Sequence, residues 1–181
     1  MWEILWRGTA MGIGGTVFMD IWAIILHRFF GQSKANWGPV GRWFWHLPKG
    51  KVFHDSIAKA EPHHNEVAIG WIAHYVVGIL YGIILALIVP EGWFAAPTFL
   101  LPFIVGIVTV GAGWFLLQPG LGIGWAASKT PNPNQVRALN LVAHTIFALG
   151  MFVTALLISY ASLCKSGFSS GLGKRRLMVT A

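Results

Sequence analysis

Glu66 to Val89 reads EVAIGWIAHYVVGILYGIILALIV. After the opening glutamate, His74 is the one ionisable imidazole in an otherwise apolar run. About 20 predominantly apolar residues cross the hydrocarbon layer as a helix, because lipid offers no partner for an exposed backbone N–H or C=O. Within the run, Glu66, Gly70, His74, Gly78 and Gly82 recur every four residues, which places them on one helix face. In lipid, small and polar residues mark the face that packs against a neighbouring helix. The stretch therefore reads as one member of a bundle within a membrane, ended by Pro90.

The same pattern recurs in three other places. Leu5 to Leu26 carries Gly8, Gly12, Thr16, Asp20, Ala23 and His27 on one stripe; Thr98 to Leu117 carries Gly106, Thr109 and Gly113; Arg137 to Tyr160 carries Arg137, Asn140, His144 and Ala148. The predicted fold is all-α and integral to the membrane, a bundle of four transmembrane helices in residues 1–160. Residues 161–181 form a Ser/Gly-rich tail ending in Lys174, Arg175 and Arg176, expected to be disordered. The bulky Ile, Leu, Val, Phe and Trp residues on the remaining faces would meet lipid. Composition agrees: 55% of the 181 residues are hydrophobic and 10% charged, against about 25% charged in an ordinary soluble domain. The first apolar run is longer than a signal-peptide core and reads as a retained helix. Cys164 is the single cysteine, so no intrachain disulfide forms.

Two longer connections, residues 31–65 and 118–136, lie at the same end of such a bundle. They and the helix ends beside them hold eight Lys and Arg residues, against five on the side of the termini. The positive-inside bias thus favours a cytoplasmic loop face in a bacterial inner membrane. The net charge of +7 suits anionic lipid headgroups. No nucleic-acid motif accompanies it, so nucleic acid is set aside as a partner. The first connection interleaves Trp37, Trp43, Phe44, Trp45 and Phe53 with Arg42, His46, Lys49, Lys51 and His54, as expected of a segment at the membrane surface.

Ionisable residues on the inward stripes gather toward the loop face. With 1.5 Å rise per residue, Asp20 and His74 lie ~12 Å and His144 ~10 Å from that face. The expectation is one cluster of Asp20, His74 and His144, below a shallower layer of His27, Glu66, Gln118, Arg137 and Asn140, with Arg42, His54 and Asp55 at the mouth. Arg137, at a helix N-terminus that disfavours positive charge, is expected to pair with Glu66 or Asp55. A carboxylate and two imidazoles suit a divalent transition metal with an open coordination position, a proton relay, a small polar ligand, or hydrogen-bonded glue between helices. Haem held by His74 and His144 would need the two to face one another across the bundle, which no spacing shows. No Ser-His-Asp or Cys-His arrangement can be placed. Two function classes follow. One is a ligand, metal or proton site, with or without catalysis. The other is an accessory or assembly subunit, as a homo-oligomer or within a larger respiratory or photosynthetic membrane complex.

Several short motifs together resemble a known family: Gly15-Thr16-Val17-Phe18-Met19-Asp20, Gly41-Arg42-Trp43 with His46, His54-Asp55, Gly70-Trp71 with His74-Tyr75, Gln118-Pro119, Ala126-Ala127-Ser128, and Pro131-Asn132-Pro133 with Arg137 and His144. From about Gly8 to Ser159 the chain resembles an uncharacterised bacterial integral-membrane family, domain of unknown function 2938. The resemblance implies an inner-membrane protein of four helices and brings no reaction, cofactor or partner with it.

Overall fold

A computed structural model describes the backbone of residues 1–179 and the side chains of residues 1–164. The described residues form helices and turns without a strand. Four helices are long and apolar enough to cross a membrane. They are α1 (Trp2–Phe30), α3 (Glu66–Ile88), α4 (Leu100–Gly120) and α5 (Pro133–Val179, apolar through Cys164). A fifth, short helix, α2 (Gly38–His46), lies in the first long connection, which contains no further crossing among the described residues. Helix α5 continues past Tyr160 without a break. The basic residues of the expected tail, Lys174 to Arg176, fall where side chains lie outside the described residues.

Close packing between the crossings depends on glycine. Helix α1 packs along both α3 and α5, and α4 packs along α5. At the α1–α3 contact a Cβ on Gly12 would lie 2.5 Å from the Gly78 carbonyl oxygen and from Ile79 Cα, and one on Gly82 would strike the Gly8 carbonyl. At the α1–α5 contact Gly15 meets Phe147, and Gly150 meets the Gly14 carbonyl. At the α4–α5 contact Gly106 lies against the His144 carbonyl and Ala148. Lipid tails are as apolar as leucine, so dispersion contacts between close backbones replace the hydrophobic effect as the source of cohesion. A core of Met11, Leu85, Val105, Phe147 and Met151 fills what remains. Ile13, Val17, Ile21 and Ile24 on α1, and Val76, Leu80 and Ile84 on α3, point outward and stay exposed, as lipid-facing residues should.

Contacts are uneven around the bundle: α3 and α4 scarcely touch. Helix α2 packs across the start of α3, seated by Gly41 against the Glu66 carbonyl and by Gly70 against the Trp37 carbonyl. The two long connections meet at this end, where backbone N–H groups of His54 and Ile57 donate to the Gly120 and Leu121 carbonyls at 3.2 and 3.0 Å. The second connection turns sharply through Ala126 and Ala127, both with positive φ (46° and 58°).

Candidate functional site

The gap between α3 and α4 is a cavity of about 390 Å³. Met19 of α1 and His144 and Phe147 of α5 form its back. Ala73, His74, Val77 and Tyr81 of α3 form one wall, and Thr109, Gly113, Leu116 and Leu117 of α4 the other. Trp37, just before α2, and Val40, Trp43 and Phe44 of α2 roof it at the loop end. The α4 wall includes a widened π-type turn over Gly113–Leu117; such turns recur at functional sites. Here it accompanies a ladder in which Trp114 Nε1 and Gln118 Nε2 donate to Asn140 Oδ1 at 3.0 and 2.9 Å.

Two histidines give this apolar cavity its polar character. His74 Nε2 lies 3.0 Å from Asp20 Oδ1, and the Tyr75 hydroxyl donates to Asp20 Oδ2 at 2.8 Å. The carboxylate is thus satisfied from both oxygens, which its position within the membrane demands. Trp37 stacks on the His74 ring with centroids 3.9 Å apart. On α5, His144 Nδ1 lies 3.0 Å from the Gly106 carbonyl oxygen and 3.1 Å from the Thr109 hydroxyl oxygen, while that hydroxyl donates to Gly106. Each imidazole therefore has one nitrogen committed as a donor to an acceptor on another helix. In a neutral imidazole the other nitrogen is an acceptor. For His74 that is Nδ1 and for His144 Nε2, and neither has a hydrogen-bond partner among the described residues.

Asp20 and His74 are brought together; His144 is not joined to them but reaches the same cavity from its back. Among the described residues no three of His, Cys, Asp and Glu come close enough to hold a metal ion. The expected Asp20, His74 and His144 metal set is therefore not assembled, because Gly106 and Thr109 engage the His144 ring on α4.

The shallow layer is paired differently from the sequence expectation. Glu66 bonds Arg42, with Nε and an Nη reaching the two carboxylate oxygens at 2.7 and 2.9 Å. The other Arg42 Nη donates to the carbonyls of Ile57, Ala58 and Ala60. Donating to Glu66 raises the Arg42 pKa further above its ordinary value, against the opposing effect of burial. Arg137 instead donates to the Ala126 carbonyl at 2.8 Å and to Asn134 Oδ1 at 3.1 Å. Its charge is met by acceptors near its own helix start, so no acidic partner is needed. Asp55 is exposed. His27 contacts the Gln32 carbonyl through Nδ1 at the exposed end of α1. His54 belongs to a separate chain of contacts with His46.

The family model described as "Protein of unknown function (DUF2938)" matches residues 9–158. The chain belongs to that family. The matched DUF2938 region takes in α3 and α4 whole, most of the α1 and α5 crossings, and every residue of the cavity wall. No curated protein and no solved structure matches the chain.

Site residues that the sequence reading left out are Tyr75, Trp37 and Trp114. Tyr75 follows His74 directly, and its hydroxyl completes the Asp20 site from a neighbouring helix face. No stripe of four-residue spacing includes it. Trp37 reads as an interface aromatic and Trp114 as one of the bulky lipid-facing residues, and only tertiary packing shows one stacked on His74 and the other bonded to Asn140.

Proposed function

We propose that this DUF2938 protein binds a small, mainly apolar molecule that carries a hydrogen-bond-donating head, such as a hydroxyl, within the bacterial inner membrane. The observation that carries the reading is the pair of imidazole acceptors, on His74 and His144, lining an otherwise apolar cavity. Its volume of about 390 Å³ falls within the range of small-molecule sites, roughly 300–1,000 Å³. Each histidine is oriented by an acceptor behind it, an arrangement that holds a ring in one tautomer. The ligand enters sideways from the lipid where α3 and α4 scarcely touch, with the long connections facing the cytoplasm.

The test compares 1-naphthol with 1-methoxynaphthalene, each titrated into the purified protein in lipid nanodiscs and into empty nanodiscs. One is a donor and the other is not, at nearly equal apolar area. A hydrogen bond contributes about 1 kcal/mol, so naphthol should bind roughly five-fold more tightly, and His144→Phe should reduce that preference. Binding of neither probe above the empty-disc background would overturn the reading. Stable co-purification with a larger membrane complex in such a preparation would then favour the accessory-subunit role.

A further inference from the structure

Beside the cavity roof, outside the membrane crossings, His46 and His54 form a chain of contacts with an unusual proton count. His46 Nε2 lies 3.1 Å from the Glu61 carbonyl oxygen, His46 Nδ1 lies 2.9 Å from His54 Nε2, and His54 Nδ1 lies 2.9 Å from the Gly120 carbonyl oxygen. Both ends of the chain are carbonyl oxygens, which only accept. Three contacts in series therefore need three N–H hydrogens. Two neutral imidazoles bring two. Whichever tautomers are chosen, the neutral pair leaves at least one contact with two lone pairs face to face.

We infer that His46 and His54 share one extra proton, and that this proton latches the first connection across the loop end of the cavity. With it, each of the three contacts holds one hydrogen: three of the four ring nitrogens donate, the fourth accepts in the central contact, and the pair carries one positive charge. His46 ends α2, whose Val40, Trp43 and Phe44 roof the cavity together with the preceding Trp37. Gly120 ends α4, the opposite wall. The latch thus ties roof to wall, over the gap that α3 and α4 leave open.

The charged surroundings oppose the extra proton. Lys49, just beyond α2, and Lys51 in the connection both add positive potential at His46. Arg42, one turn back on α2, is occupied by Glu66. Asp55 and Glu61 in the same connection are exposed, and the end of α4 offers the Gly120 carbonyl and the neutral Gln118. Burial is the largest influence and pushes the His46 pKa down; the Glu61 carbonyl partly offsets it, and His54 and the two lysines add to it.

The relevant comparison is between closed and open loop. Only the closed loop offers His54 as a partner for the proton. The closed loop therefore has the higher proton affinity, and closure is favoured as pH falls and lost as pH rises. Burial keeps that change on the acidic side of the ordinary imidazole range. Ties that need no extra proton remain at all pH, among them Trp43 Nε1 to the Val52 carbonyl at 2.7 Å. Opening is consequently local.

Hydrogen exchange of residues 47–57 in the full chain, in nanodiscs at pH 5 and pH 8 and corrected for intrinsic rates, tests the latch. Protection should be at least about ten-fold greater at pH 5, the worth of one hydrogen bond to a charged group. In His54→Gln the amide donates to His46 without an extra proton, so protection should no longer change with pH. Imidazole 15N shifts of the unmutated protein give a second readout that needs no variant: His46 and His54 should titrate together and take up one proton between them. Protection independent of pH in the wild type, the same pH dependence in His54→Gln, or two rings titrating independently would overturn the inference.

Discussion

Asp20 on α1 and His74 on α3 are joined by a 3.0 Å contact between Oδ1 and Nε2, and the Tyr75 hydroxyl holds the second carboxylate oxygen at 2.8 Å. This is the polar tie between the two helices that the Gly12–Gly78 contact brings together.

Removing the carboxylate should therefore cost more than neutralising it. Asp20→Ala leaves the Tyr75 hydroxyl and a His74 N–H without partners, at about 1–3 kcal/mol each. In Asp20→Asn the amide oxygen still accepts from Tyr75 and the amide nitrogen donates to the other His74 tautomer. Thermal unfolding in detergent should show a clear drop in Tm for Asp20→Ala and a small one for Asp20→Asn. Equal drops would show that charge, not hydrogen bonding, carries the tie.

Gly12 and Gly113 make a matched pair of glycines. A Cβ at Gly12 lies 2.5 Å from backbone atoms of α3, whereas at Gly113 nothing lies within 4 Å. Backbone cannot give way as a flexible side chain does, so Gly12→Ala should destabilise by about 1–3 kcal/mol, as overpacking does. Gly113→Ala should leave folded yield and Tm unchanged or slightly raised, since alanine favours a helix over glycine. Size-exclusion profiles and melting curves of the two variants decide it.

Arg42 should matter more than Arg137. Its fork engages both Glu66 oxygens, and it also reaches three loop carbonyls, a geometry that lysine cannot copy. Arg42→Lys should lower stability by about 2 kcal/mol, the scale of charge-assisted hydrogen bonds, with Arg42→Ala at least as harmful and Arg137→Ala less so. Folded yield on size exclusion, ranked Arg137→Ala above Arg42→Ala, is the expected result; the reverse order would overturn the pairing.

Ala126 stands in the left-handed region at φ 46° and ψ 46°, where a Cβ costs roughly 1–2 kcal/mol. Its carbonyl is held by Arg137, a backbone contact that glycine retains. Ala126→Gly should raise Tm. An unchanged or lowered Tm would show that the methyl group has a packing role larger than the strain.

The sequence by itself determined the membrane class, the four crossings and the inward stripes. Apolar length and four-residue spacing are local properties, and lipid permits a chain with them to fold only as packed helices. It also placed Asp20 and His74 at a shared depth, because rise per residue turns position into distance. Tertiary structure alone decided the lateral choices: that Glu66 takes Arg42 rather than Arg137, that His144 turns to Gly106 and Thr109, that Tyr75 closes on Asp20, and that α3 and α4 stand apart around a cavity. Those outcomes depend on which helices are neighbours and how each is rotated. Depth along the membrane normal follows from counting residues, but neighbourhood within its plane follows from close packing, which no single helix encodes.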